Sequence, residues 1–153
     1  MYRLTSSLPY LLNRLGVRMG ALFTRKIAAY GLTLPMYRVL AALWEQPRQT
    51  LGSLAQMTTT ELSTMSRLIS HMVGQKLVTR KRPPNNERVV EVDLTRTGRA
   101  LAEKLVAEAQ HYEDVAISRM PLEDVNHLRS VLASMYETLD VLEEELVAPA
   151  DPG

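Results

Sequence analysis

Between Thr50 and Thr95 the chain has almost no spare residues, and that economy restricts the possible folds more than any other feature. A short helix comes first, with Leu51, Leu54, Ala55 and Met57 on its apolar side, and runs into Thr58-Thr59-Thr60. A second helix follows, whose Leu62, Met65, Ile69, Met72 and Val73 keep the steps of three and four that define one helical face. Ser63, Ser66, Arg67 and Ser70 fall on the other face, with Thr64 beside them. Thr58-x-x-Glu61 fits a capping box for this second helix, in which hydroxyl and carboxylate each satisfy an orphan amide; Thr59 or Thr60 could serve instead.

Two stretches of strand character come next, residues 77–82 and 88–94, and in the second Val90, Val92 and Leu94 alternate with Glu91 and Asp93. Pro83-Pro84-Asn85-Asn86-Glu87 lies between them; the prolines stiffen the exit and the asparagines tolerate the positive φ of a tight turn. Arg80, Lys81, Arg82 and Arg88 therefore gather near one hairpin tip, where they would repel one another without a polyanion nearby. Helix, turn, helix and basic hairpin, in that order, make a winged helix-turn-helix, mainly α with a small β-hairpin wing. Short hydroxyls on the second helix permit close approach to a DNA groove, and Arg67 suits a guanine edge or a phosphate. Such a face taken alone is ordinarily a solvated one. The basic hairpin directly behind it favours DNA.

Charge is segregated along the chain. Residues 1–99 hold 15 Lys/Arg against 5 Asp/Glu, whereas residues 100–153 hold 3 against 12, so the formal net charge of +1 conceals two opposite halves. DNA is expected to meet the first half, and the acidic half to face water or a partner subunit.

At 153 residues and 46% hydrophobic, one compact domain is the expectation. No run approaches the ~20 apolar residues of a membrane span, and no signal sequence is apparent; a cytoplasmic protein without membrane contact is expected. With no cysteine, the chain has no disulfide, no thiol that senses oxidants and no cysteine-ligated zinc. His71, His111 and His127 lie in different helices, so neither a metal site nor a cofactor is expected. Glycine-rich phosphate loops, His-Glu-x-x-His and Gly-x-Ser-x-Gly are all missing, and the carboxylates between Glu103 and Glu145 read as solvated helix faces. An enzyme is not expected, and no residue is assigned as catalytic. The competing class is a protein-interaction adaptor on a winged-helix scaffold, which has no need of the Arg80/Lys81/Arg82/Arg88 cluster.

Long helices flank the winged unit. Residues 7–30 place Leu8, Leu12, Leu15, Met19, Leu22, Phe23, Ile27 and Tyr30 along one stripe, with Gly31 as a natural stop. Residues 34–44 form a shorter helix opened by Pro35, and Thr95 caps a helix running to about Met120. In the sixth and last helix Val125, Leu128, Leu132, Met135, Leu139, Leu142 and Leu146 alternate steps of three and four, the period of a seam packed against another helix. That seam faces either the chain's own first helix or a second copy. A homodimer is favoured, because a two-fold pair reads two half-sites about one helical turn apart, and its base would be formed by the N- and C-terminal helices.

Gly31 to Leu40 (Gly-Leu-Thr-Leu-Pro-Met-Tyr-Arg-Val-Leu), Leu54-Ala55, Ser63 to Leu68, Leu77-Val78-x-Arg80, Asn86-x-Arg88 and Leu94-Thr95-x-x-Gly98 together resemble successive motifs of the MarR family of bacterial transcriptional regulators. The likeness runs from about residue 10 to 145. It implies a homodimeric repressor released from a palindromic operator by a small anionic, often aromatic ligand. It further implies one domain over 1–153, with a DNA-binding lobe at 32–96, dimerisation helices at 5–31 and 97–147, and a flexible tail at 148–153. Ser63, Ser66 and Arg67 then correspond to major-groove contacts and Arg88 to the wing arginine. Two positions depart from the pattern. Asn86 stands where the family has an aspartate bonded to the wing arginine, and Lys76 stands where it has a glycine.

For the ligand, Arg14, Arg18, Met19, Phe23, Tyr30, Tyr37, Arg38 and Trp44 lie on segments expected to meet near the hinge. Aromatic walls with one or two arginines suit an aromatic carboxylate or its coenzyme A thioester. The same residues also read as plain core and surface cations, which leaves a DNA binder without an effector as the alternative.

Overall fold

The computed structural model describes residues 2–82, 84 and 89–147. Helix α1 (Leu8–Ile27) begins with proline in its first turn and ends through a 3-10 turn at Gly31, whose φ of +67° is the left-handed conformation that glycine adopts without strain. Helix α2 (Leu34–Glu45) follows, again with proline in the first turn. Strand β1 (Gln49–Thr50) leads into α3 (Leu51–Met57), where the Thr50 hydroxyl accepts from the Ser53 amide at 3.1 Å as an N-cap. Helix α4 (Leu62–Gly74), strands β2 (Val78–Lys81) and β3 (Glu91–Leu94) and helix α5 (Arg96–Ile117) complete the expected order.

The wing is larger than a hairpin. Its antiparallel sheet has the order β1-β3-β2, with Gln49 opposite Val92 on one side of β3 and Val78 opposite Leu94 on the other. Two residues are too few to display an alternating pattern, which is why β1 escapes sequence reading. Both paired strands are shorter than the expected 77–82 and 88–94.

The expected capping box does not form. Thr58 is buried, and its hydroxyl donates to the Leu54 carbonyl at 2.7 Å, closing the end of α3. The N-cap of α4 is Glu61, which makes no side-chain capping bond. The hydroxyl turns back to a carbonyl of its own helix, one that also accepts the Thr58 amide at 3.0 Å, and is not seen to accept an amide of the next helix.

At the other end of α4, Lys76 takes the position expected of glycine, with φ +60°. Its amide donates to Val73 at 2.9 Å and the Leu77 amide donates to Met72 at 3.0 Å, the paired bonds of a Schellman motif. Met72 and Leu77 are both buried, so the hydrophobic contact that accompanies this cap is in place. Gly74, two residues early, is an ordinary helical residue. Thr95 then ties the cap to α5. Its hydroxyl lies 2.7 Å from the Lys76 carbonyl and accepts from the Gly98 amide at 2.9 Å, and its own amide donates to Leu77 at 3.1 Å. A Cβ on Gly98 would drive into the Leu77 carbonyl, so glycine is required by close approach there.

The molecule divides into two units, at Tyr112 and Glu113. In the first, one hydrophobic core joins Phe23 and Ile27 of α1 with Leu40 and Leu43 of α2, Leu54 of α3, Met65 and Ile69 of α4, Val92 of β3 and Leu105 of α5. Among the described residues two polar side chains are buried in this unit, Thr58 and Gln49, and Gln49 reaches three backbone and side-chain partners. Its Nε2 donates to the carbonyls of Ala42 and Gln46, each at 2.9 Å, while its Oε1 accepts from the Ser53 hydroxyl at 2.9 Å. The α1 stripe is buried only at its C-terminal end, and Leu8, Leu12, Leu15 and Leu22 stand exposed in the single chain.

In the second unit, the Arg129 guanidinium holds the Glu113 carboxylate at 2.6 Å. The sixth helix is interrupted at Leu139, giving α6 (Leu122–Thr138) and α7 (Asp140–Val147). Thr138 donates its hydroxyl to the Ser134 carbonyl at 2.8 Å, a back-bond that bends helices. Val125 is buried, but Leu128, Leu132, Leu139, Leu142 and Leu146 of the seam are exposed.

Two substitutions test the α4–α5 junction by chemical denaturation. Lys76→Gly removes a left-handed lysine and is expected to stabilise by about 0.5–1 kcal/mol. Gly98→Ala is expected to cost about 1–3 kcal/mol through overpacking against backbone. Equal stability of both variants with wild type would contradict this account of the junction.

Candidate functional site

On α4, residues 63, 66, 67 and 70 share one face because steps of three and four stack along a helix. Ser63, Thr64, Arg67 and Ser70 are exposed and Ser66 is half-buried, while Met65, Ile69 and Met72 opposite them anchor the helix in the core. Arg67 reaches back to the Thr64 hydroxyl at 3.5 Å. Strand β2 brings a second cation to this face. The Arg80 guanidinium approaches the Ser70 hydroxyl at 3.4 Å, and that hydroxyl donates to the Ser66 carbonyl at 2.9 Å. Lys81 and Arg82 are exposed beside it. Thus α4 and β2 set Arg67 and Arg80 over a run of small hydroxyls. An open groove lined by Leu51, Leu62, Ser63, Ser66, Val89 and Val90 adjoins the start of α4. Arg88 and Asn86 lie outside the described residues.

A second candidate region is a cleft of about 220 Å³ lined by Gly16, Met19, Gly20, Phe23, Leu34, Arg38, Ala109 and Tyr112. The Phe23 ring packs edge-on against Tyr37 at 4.6 Å and against Tyr112 at 5.3 Å between centroids. Of the residues expected to bind a ligand, the cleft gathers Met19, Phe23 and Arg38. Tyr37 instead lines, with Arg38, a separate opening shared with Ala41, Glu45, Met57, Thr58 and Thr59. Tyr30 lies under the Lys104 ammonium, 5.1 Å from its ring centre. Arg14, Arg18 and Trp44 are exposed and line neither opening.

Sequence reasoning missed Tyr112, Leu34 and the two glycines. Gly16 and Gly20, four apart on α1, did carry a signal, since small residues at that spacing let a neighbour approach closely. A Cβ on Gly20 would sit 3.1 Å from the Leu34 side chain. Between α1 and α5, Lys26 pairs with Glu108 at 3.0 Å, and this hydrogen-bonded carboxylate holds the ammonium above its ordinary range. Burial pushes the Tyr37 phenol up. Among the described residues, no group of three His, Asp or Glu is placed to hold a metal ion, and no single helix is long and apolar enough to cross a membrane.

The MarR family model matches residues 32–90 of this chain. Over 91% of this chain and 99% of the other, it is 34% identical to a MarR family transcriptional regulator of Silicibacter pomeroyi DSS-3, with a TM-score of 0.78. It is 26% identical to Bordetella bronchiseptica BpsR, whose DNA binding is regulated by 6-hydroxynicotinic acid, over 89% of this chain and 97% of that one, with a TM-score of 0.78. The organic hydroperoxide resistance transcriptional regulator of Bacillus subtilis is 29% identical over 137 residues, 90% of this chain and 92% of the relative.

The raised Tyr37 phenol predicts a pH dependence. A phenol neutral in the fold beyond the pH at which it ionises in the unfolded chain contributes stability that is fully present below pH ~10 and is lost as pH rises through the folded value. Denaturation midpoints from pH 9 to 11.5 are expected to fall less steeply for Tyr37→Phe than for wild type. Parallel slopes would place Tyr37 in water.

Proposed function

We propose that this chain, which belongs to the MarR family of transcriptional regulators, is a homodimeric repressor released from a palindromic operator by a small aromatic acid. The observation that carries DNA reading is the α4 face, where Ser63, Ser66, Arg67 and Ser70 are joined by Arg80 from β2. Hydroxyls and one bidentate cation read base edges, while Arg80, Lys81, Arg82 and Arg88 take phosphates. In this reading residues 32–96 are the DNA-binding lobe. Residues 5–31 and 97–147 form the base, whose exposed leucines on α1, α6 and α7 a second copy covers. A single chain that leaves such leucines in water supports a partner of the same kind.

Three features support an aromatic acid: the ring-lined cleft, its one cation Arg38, and the aromatic acid that regulates BpsR. Pockets for drug-sized ligands run from about 300 to 1,000 Å³, so a cleft of about 220 Å³ suits a single ring better than a coenzyme A thioester. With no cysteine in the sequence, a thiol-based response to hydroperoxides is not open to this chain, although one relative carries that name.

Salt-dependent operator binding separates the roles. Arg67→Ala is expected to lose about 1–3 kcal/mol on the cognate operator and less on random DNA. Arg80→Ala or Lys81→Ala is expected to weaken all DNA alike and flatten the salt slope by about one unit per lost phosphate contact. Equal losses on both DNAs for Arg67→Ala, with an unchanged slope for the other two, would overturn the assignment.

Effector control is tested by titrating the operator complex with hydroxynicotinic and benzoic acids. A tenfold release requires about 1.4 kcal/mol of coupling. Wild type is expected to respond, and Arg38→Ala to bind the operator normally without responding. If no aromatic acid shifts wild-type affinity, the cleft is not an effector site.

A further inference from the structure

Met57 ends α3, immediately before the turn that leads into α4, and is set apart by its contacts. Met36, Met65 and Met72 are sealed in the core. Met57 is 39% exposed and lines the opening beside Tyr37 and Arg38, so its side chain borders water. Its sulfur also touches the buried polar centre of the lobe, since Gln49 Nε2 lies 3.7 Å from Met57 Sδ.

The contact matters because of donor counting. A carboxamide has two N–H protons, and around Gln49 Nε2 stand three acceptors, the carbonyls of Ala42 and Gln46 at 2.9 Å and the sulfur. A thioether is the weakest of the three, so both protons serve the carbonyls. These bonds hold the end of α2 to Gln49, and Gln49 is itself part of β1, paired with Val92 of β3. Its Oε1 meanwhile accepts from Ser53 on α3. One side chain therefore joins α2, α3 and the wing.

We propose that Met57 is an oxidation site, through which a hydroperoxide converts the thioether to a sulfoxide and weakens DNA binding. The sulfur lone pair attacks the terminal oxygen of ROOH, forming the S–O bond as the O–O bond breaks. The proton of that oxygen passes to the departing alkoxide, giving ROH; sulfur is oxidised by two electrons and the peroxide reduced by two. The product is polar, and its oxygen is a full acceptor where the sulfur was a weak one. It competes for a Gln49 proton, releases a carbonyl at the end of α2, and loosens β1 and α3 together. The inference rests on the DNA-binding reading, and binding by untreated protein checks that reading separately.

The test measures operator affinity before and after hydrogen peroxide, with mass spectrometry of the peptide containing Met57. Oxidised wild type is expected to bind at least about tenfold more weakly, and methionine sulfoxide reductases to restore it. Met57→Leu, a volume-conserving change, is expected to keep its affinity after the same treatment. Met57→Gln, which places a permanent acceptor there, is expected to bind weakly without oxidant. Three results would each overturn the proposal: Met57 unmodified when the equally exposed Met120 is converted, Met57 sulfoxide without loss of affinity, or Met57→Leu losing affinity as wild type does.

Discussion

The hydroxyl of Thr95 and the absent side chain of Gly98 hold three elements at one point, and the orientation of α4 depends on them. The end of α4 must turn into β2, and its last carbonyls are satisfied by the amides of Lys76 and Leu77. Those residues are in turn bonded by Thr95, at the point where β3 passes into α5. Contact between α5 and Leu77 is possible only because position 98 carries no Cβ. A shift of α5 therefore reaches the C-terminus of α4 through backbone contacts, which are stiffer than side-chain packing. Lysine at position 76 tolerates strain here that glycine would avoid, a sign that the cap is held from both sides.

A second junction is organised by Gln49. A buried carboxamide is costly unless its groups are paired, and here both the oxygen and the nitrogen are. Placing it inside fixes a short loop that propensity alone would leave loose. Arg48, just before it, has φ +56° and could not be held there by a surface turn without cost. The same pairing makes β1, only two residues long, a defined third strand.

Periodicity in the sequence revealed the helices and their buried faces, because steps of three and four follow directly from helix geometry. Met65, Ile69 and Met72 are buried as their spacing requires, whereas Leu62 and Val73, placed on the same face at the two ends of α4, are exposed. The wing was legible from alternation at Val92 and Leu94, but β1 was not, since two residues have no period. Thr58 was misread because a capping motif on paper does not say which of two helix ends the hydroxyl will serve. The cleft was the least legible part. Tyr112 is distant in sequence from Phe23, and only packing brings their rings together, whereas Arg14 and Arg18 share α1 with Phe23 and point elsewhere. Local pattern reports which face of an element is apolar; which elements meet there is decided by the whole core.

Helix α2 links the proposed effector cleft to the DNA-binding lobe. Leu34 and Arg38 face the cleft, Tyr37 and Arg38 line the opening that Thr58 and Thr59 complete, and the Ala42 carbonyl is bonded to Gln49. A ligand alters DNA affinity only by preferring one of two arrangements of the lobe. Phe23, buried and in contact with two other rings, is a poor candidate for the moving part, because close-packed interiors resist small displacements. Arg38 is exposed and borders both openings, so an anion in the cleft can draw its guanidinium inward at little packing cost. In the proposed reading an effector anion in the cleft would draw Arg38 away from the opening that Thr58 and Thr59 line, which would couple the cleft to the turn before α4.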